Sequence, residues 1–297
     1  MERIGFEEHI RRNQRQTVLV AGFMLLLLFG VVYAVGYLLG YPPTFTLILS
    51  LVVALVYVAI TWARATDTVL LASQARPANP AVREEKLLVY KVEEMAIAAG
   101  QPVPRVYVQD SRDINAFAAG LTPKTALICV TRGALEQLNQ EELEGVLAHE
   151  MSHIANYDVR LATVTIGVMG AIAMIAEIGM RALWFGGRGR KGGGHPLLLV
   201  VALVGVLLAP ILSRMTYLFL SRRREYLADA TGAKLTRNPE GLAAALEKIK
   251  GDLPDDPKGS RTVAALYIAN PWKRVDLRSV WSTHPPLDER IRRLRQM

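Results

Sequence analysis

Residues 16–63 contain no Asp, Glu, Lys or Arg, and this uncharged stretch limits what the chain can fold into more than any other feature. It is long enough for two helical crossings of a hydrocarbon core about 30 Å thick. Gly40, Pro42 and Pro43 interrupt it, which predicts helices over 17–39 and 44–63 joined in a tight hairpin. A cleaved signal peptide would be shorter and would not be followed at once by a second apolar run. Further apolar runs cover 159–180 and 196–219, with the flexible connector GGRGRKGGG between them. The expectation is therefore a mainly α membrane protein with four hydrophobic helices in two hairpins. Glu177, near the end of the third run, reads as an interfacial residue, as do His9 and His195. The net charge of +8 comes with no nucleic-acid recognition motif, so a lipid bilayer is the expected partner and nucleic acid is not. Cys129 is the single cysteine and cannot form an internal disulfide, which fits a reducing compartment.

Flanking cations predict the orientation. Arg3, Arg11, Arg12 and Arg15 precede the first helix and Arg64 follows the second, so both outer ends and both termini should face the cytoplasm. The loop carrying Arg181, Arg188, Arg190 and Lys191 disagrees, since full crossings would place it outside. Either that loop is an exception or the second hairpin enters the membrane without spanning it.

The division that follows is a cytoplasmic segment 1–16, a membrane hairpin 17–64, a first soluble part 65–158, a second membrane hairpin 159–220 and a second soluble part 221–297. Within the first soluble part, Leu87, Leu88, Val92, Met95 and Ala96 recur at helical spacing over 81–99. Residues 105–109 alternate like a strand, and 115–119 with 126–131 form a predicted β-hairpin across Leu121, Thr122 and Pro123, so a small sheet is expected. A helix should begin at Asn139, with Glu142 completing a capping box, and run toward His153. Helical patterns at 221–234, 240–250 and 287–296 are separated by the loops GDLPDDPKGS and NPW.

That capped helix carries His149-Glu150-Met151-Ser152-His153, an H-E-x-x-H. Residues four apart share a helix face, so both imidazoles can converge on one Zn²⁺ while Glu150 leans toward the metal's open position. The bland alternative is two surface histidines beside a membrane. A catalytic zinc needs a third protein ligand, and no histidine follows at metzincin spacing. Glu225 is the candidate, with Asp229 on the same face able to accept a hydrogen bond from a ligand imidazole; taken alone, the pair also fits an ordinary surface pattern among Arg222, Arg223 and Arg224. Position decides between the two. His153 lies just before the third apolar run and Glu225 follows the fourth by about 9 Å of helix, so a hairpin returns them to one membrane face. Asn115 and Ala116 lie on a short strand before the metal helix that could pair with an extended substrate, or could be an ordinary hairpin strand. His284, ahead of Pro285 and Pro286, is either an oxyanion donor or a plain turn residue.

HEMSHIANYDV at 149–159, SRRREYLADATGA at 221–233 and STHPPLDERI at 282–291, set around two apolar hairpins, resemble the HtpX-type heat-shock membrane metalloproteases. These are gluzincins related to the Ste24-type CAAX proteases. The resemblance implies a zincin-like α+β catalytic domain on the cytoplasmic side of the cell inner membrane, with one Zn²⁺ per chain held by His149, His153 and Glu225, and Glu150 as catalytic residue. It also implies an endopeptidase acting on unfolded or damaged membrane proteins, with other membrane proteases or a second copy of the chain as candidate partners. From a different class, the competing expectation is a non-catalytic zinc-stabilised scaffold or channel subunit. An intact Glu150 argues against it, because a structural site closes its fourth position with another Cys or His.

Overall fold

A computed structural model describes residues 6–38, 40–166, 222–252, 258–259, 263–264, 266–270 and 285–297. The expected third and fourth spans, beyond residue 166 and up to 221, lie outside the described residues, as do Glu177, His195, His284 and most of the two expected C-terminal loops.

Two long helices open the chain, α1 (Phe6–Leu38) and α2 (Pro43–Ser73). The break between them falls at the glycine and prolines that predicted it, with Pro43 inside the first turn of α2, where its missing N–H leaves no hydrogen bond unmade. Both helices overrun their expected ends: α1 begins at Phe6 rather than 17, and α2 continues to Ser73 rather than stopping at 63. The charges that suggested an end mark only a change of surroundings. Arg64 and Asp67 form an exposed pair one turn apart on the uninterrupted helix. Among the described residues, α2 is the helix long and apolar enough to cross a membrane, and Ile48, Leu51, Val52, Leu55, Val56 and Ile60 along it are exposed. Its buried stripe consists of small residues, Thr46, Ser50 and Ala54, and then Ala65, Val69 and Ser73, spaced four apart.

The soluble part is built on a four-stranded sheet of order β1-β2-β4-β3, formed by β1 (Arg76–Pro77), β2 (Arg105–Gln109), β3 (Ala116–Ala119) and β4 (Leu127–Thr131). β2 and β4 run parallel, and the outer pairs are antiparallel. The β3–β4 hairpin and β2 match expectation, whereas the two-residue β1 is too short to leave a periodic signal. Both faces of the sheet are buried. Ala116, Ala118, Ile128 and Val130 join the main core, while Phe117, Ala119, Leu127 and Cys129 pack with Val69 of α2, Val263 and Tyr267 on the other side. This double burial explains why the β4 sequence, LICVT, reads as a continuous apolar run rather than an alternation. It also joins the C-terminal end of α2 to the sheet, where the Gln109 amide donates to the Ser73 carbonyl at 2.7 Å.

On the main-core face lie α3 (Arg83–Ala99), the short α4 (Arg132–Gln137) and α5 (Gln140–Ala155). Leu88, Val92, Met95 and Ala96 of α3 are buried as predicted, but Leu87 is turned outward, because the stripe at 88, 92, 95 and 96 already fills the contact. Helix α6 starts at residue 158 and is described to 166. Then come α7 (Arg222–Thr236), α8 (Pro239–Gly251) and α9 (Leu287–Leu294). Helices α5 and α8 pack nearly backbone to backbone. A Cβ on Gly145 would lie 2.6 Å from Leu242 N, and one on Gly241 would lie 2.6 Å from the Glu141 carbonyl.

Gly145→Ala should therefore lower stability by about 1–3 kcal/mol, since the obstruction is backbone that cannot rotate away. Gly251→Ala, with nothing within 4 Å of its Cβ, is the control. Thermal unfolding in detergent reads the difference, and equal midpoints for the two variants would show that the crossing tolerates a methyl group.

Candidate metal centre

The capping box forms as the sequence predicts: Glu142 N–H donates to the Asn139 side chain at 2.9 Å, and Asn139 N–H to the Glu142 carboxylate at 2.8 Å. From that start α5 brings His149 and His153 onto one face, with their rings edge to face and Nε2 to Nε2 at 3.2 Å. Helix α7 supplies the rest. Glu225, Asp229 and Gly232 fall on one stripe at i, i+4 and i+7, and α7 meets α5 at its glycine: a Cβ on Gly232 would stand 3.1 Å from the His149 backbone nitrogen. Because the helices touch there, Asp229 one turn back lies beside His149, and Glu225 one turn further lies between the two histidines.

Each imidazole has a carboxylate behind it. His149 Nδ1 is 3.0 Å from Asp229 Oδ1, and His153 Nδ1 is 3.1 Å from Asp158 Oδ2. With each Nδ1 turned to its carboxylate, both Nε2 atoms face one point, where a cation can take a lone pair from each. Glu225 completes the triangle, with Oε2 3.8 Å from His149 Nε2 and Oε1 3.7 Å from His153 Nε2. The three ligand atoms lie within 4.8 Å of one another. Tetrahedral zinc with bonds of about 2.0–2.1 Å requires donor separations of roughly 3.3 Å, so the donor set fits.

The charges point the same way. Glu150, Asp158, Glu225 and Asp229 are all buried, and Arg290, fully buried, is the one arginine in the core among the described residues. Arg290 Nε and Nη2 donate to the two Asp229 oxygens at 2.9 and 2.7 Å, while Nη1 lies 3.4 Å from Glu225 Oε2 and donates to the Ile268 carbonyl at 3.3 Å. Burial is the largest influence on His149 and, together with the Arg290 charge, brings it down to about 4, so this imidazole stays neutral. Burial acts downward on His153 as well, but its bond to Asp158 and the nearby carboxylates overcome it and hold the ring up to about 9; the same field attracts a metal cation. Burial raises the Glu150 carboxyl to about 7. For Asp229 burial is again the largest effect and acts upward, yet Arg290 and His149 bring it down to about 2.

The structure thus brings His149, Glu150, His153, Glu225 and Asp229 together. Asn115 and Ala116 are engaged by the chain itself: the Asn115 amide donates to the Ala269 carbonyl at 2.8 Å, and Ile268 N–H donates to the Ala116 carbonyl at 3.0 Å. The β3 edge expected to be open is therefore covered at this end, while further along the Ala118 backbone N–H acts on the Glu150 carboxyl and lowers it against the effect of burial. Sequence reasoning missed Asp158 and Arg290. Arg290 left a signal, since it lies on the apolar stripe of α9 with Leu287, Ile291 and Leu294, and an arginine there implies a buried counter-charge.

The model of peptidase family M48 matches residues 83–297. The chain belongs to peptidase family M48. Over nearly its whole length it is also similar to proteins called protease HtpX homolog. It is 38% identical to that of Streptococcus uberis over 296 residues and 40% identical to that of Ligilactobacillus salivarius over 300 residues, in each case covering 98% of this chain and 99% of the relative. Among solved structures it aligns with Ste24p of S. mikatae at 21% identity and a TM-score of 0.47, spanning 97% of this chain and 66% of that one. This M48 chain is a membrane zinc metalloprotease whose zinc-binding triad is His149, His153 and Glu225. The expectation of a non-catalytic scaffold falls with that membership.

Replacing Arg290 with Met would leave Asp229 and Glu225 buried beside each other without their guanidinium, a loss of about 3–5 kcal/mol. Arg290→Lys keeps the charge but not the two-pronged donor, and should recover only part of it. Denaturant unfolding of the metal-stripped variants measures both, and a Met variant as stable as the parent would remove Arg290 from the framework of the site.

Proposed function

We propose that this M48 protease is a multi-pass enzyme of the cell inner membrane that hydrolyses internal peptide bonds of misfolded or damaged membrane proteins close to the cytoplasmic surface. Four hydrophobic helices in two hairpins, with both termini and the site on the cytoplasmic side, remain the preferred arrangement. What supports a common side is the hydrogen bond from Asn13, just before the uncharged run, to Asp158 beside the metal ligands.

Zinc, held by His149, His153 and Glu225, supplies Lewis acidity toward a peptide carbonyl and acidifies water. The remaining steps fall to the chain. Glu150 removes a proton from the attacking water and passes it to the departing amine. The observation that carries this assignment is the burial of Glu150, which raises its carboxyl to about 7, where one group can both accept and return a proton near neutral pH. Asp229 and Asp158 hold the two imidazoles in the tautomer that leaves Nε2 toward the metal. An extended substrate would lie along the β3 edge beyond Ala116, near the Ala118 N–H and the Glu150 it bonds, with Asn115 and Ala116 bounding that groove and His284 donating to the oxyanion.

The full-length protein in detergent, given an unfolded membrane-protein substrate, should cleave it and stop when zinc is chelated. Glu150→Gln should abolish cleavage while zinc stays near one per chain, because the amide keeps the shape but cannot take a proton. His284→Ala should lower turnover by about 10²–10³ with KM and zinc content nearly unchanged. Cleavage by the Gln variant at more than about a hundredth of the parental rate would remove Glu150 as the base, and His284→Ala within threefold of the parent would return His284 to a turn residue.

The orientation has its own check. Single cysteines at Glu8, Thr44, Gly193 and Asp255 in a Cys129→Ser background are treated on intact cells with a membrane-impermeant thiol reagent. Thr44 should label and Glu8 and Asp255 should not; labelling at either of the latter overturns the topology. Labelling at Gly193 separates a spanning second hairpin from a re-entrant one.

A further inference from the structure

Asp158 follows His153 by five residues, too far for the same helical face, yet its carboxylate lies against the His153 ring at 3.1 Å. The backbone between them makes this possible. Helix α5 ends at Ala155, Tyr157 adopts a left-handed conformation at φ +59°, and helix α6 starts at once with Asp158. A bulky residue at positive φ is held there by its surroundings rather than by its own preference. Local hydrogen bonds close one side of the turn, from Asn156 N to the Ser152 carbonyl and from Tyr157 N to the Ile154 carbonyl. The other side is closed from a distant part of the chain. Buried Asn13 on α1 uses one amide nitrogen for two bonds, to the Asn156 carbonyl at 3.0 Å and to Asp158 Oδ1 at 2.7 Å.

We infer that Asn13 is a positioning residue of the zinc site, a polar latch by which helix α1 fixes Asp158 and, through it, the orientation of His153. The side-chain amide suits the task because both its hydrogens are donors and both partners are acceptors. With Asn13 on Oδ1, Asp158 presents Oδ2 to His153, and the imidazole is kept with Nε2 toward His149 and Glu225. Arg224 Nη1 also lies near Oδ1, but at 3.8 Å, beyond direct hydrogen-bond length. This chain thus draws part of its metal-ligand support from a residue 145 positions before Asp158, just ahead of the uncharged run.

The inference rests on the zinc site and not on the reading of substrates, and its first readout needs no substrate, so an inactive parent protein would leave it testable. Zinc affinity of the full-length protein in detergent is measured by competition with a coloured chelator, alongside the visible spectrum of the cobalt(II) form. Outer partners of a ligand histidine are typically worth about 10–100-fold in metal affinity, so Asn13→Leu, one bond further out, should weaken zinc by about 3–10-fold and shift the cobalt bands. Asn13→Gln, which keeps both donors, should recover most of the loss. With an assayable substrate, kcat should fall while KM stays within twofold, as expected when a ligand is misaligned rather than a groove altered. Thr17→Val is the control: Thr17 is buried on the same helix, but its hydroxyl donates at 2.9 Å to the Asn13 carbonyl within α1 and not to the turn. Asn13→Ser, too short to reach Asp158, replaces the Leu variant if that one does not fold. Parental zinc affinity and an unchanged cobalt spectrum in the Leu or Ser variant would overturn the inference, as would an equal loss in Thr17→Val.

Discussion

The closest approach of α7 to α5, where Gly232 lies against the backbone of His149, is the contact on which the rest of the site depends. A Cβ at that position would stand 3.1 Å from the His149 backbone nitrogen, so the helices would have to part by a few tenths of an ångström. That shift would lengthen the contact of Asp229 with His149 and move Glu225 off the point on which the two imidazoles converge. Metal sites tolerate errors of only a few tenths of an ångström, so a helix pair that supplies donors from both members needs a fixed separation. The α5–α8 pair uses the same device at Gly145 and Gly241, which fixes the ligand helix from a second side.

The second constraint is charge. Four carboxylates are buried around two imidazoles, and isolated ions in such surroundings would be strongly destabilising. Arg290 answers two of them directly, binding Asp229 through both guanidinium arms and standing beside Glu225. The remaining negative field falls on the triangle of His149, His153 and Glu225, where it raises the basicity of His153 and favours a divalent cation. Burial, the largest influence on the Glu150 carboxyl, outweighs the downward effect of the His153 and Arg290 charges and leaves that carboxyl raised to about 7.

Much of this was legible in the sequence, and the failures have physical causes. The H-E-x-x-H, the capping box of Asn139 and Glu142, and the spacing of Glu225 and Asp229 are local patterns, and each appears in the structure as read. The ends of α1 and α2 were misplaced because charges at 15 and 64 signal a change of solvent, whereas helices end only where capping or backbone geometry stops them, here at Gln74 with φ 57°. Asp158 was missed because its five-residue separation from His153 is not a helical spacing, and only the left-handed turn at Tyr157 brings it back. Arg290 is tied to Asp229 across 61 residues, a pairing that no single-sequence periodicity encodes. The covered end of β3 was likewise invisible, since Ile268 and Ala269 approach it through backbone bonds that carry little side-chain signal.

Helix α2 runs without interruption from exposed leucines and valines to Val69, which is wedged against Phe117 and Leu127 on the back of the sheet. Such a helix behaves as a stiff lever with one arm in lipid and the other bolted to the active-site sheet. A span that tilts to match a thinner or thicker bilayer cannot do so alone, because the sheet, and β3 with it, must rotate too. A change in the tilt of α2 is thus, through Val69, a change in the orientation of the sheet that backs the metal helix.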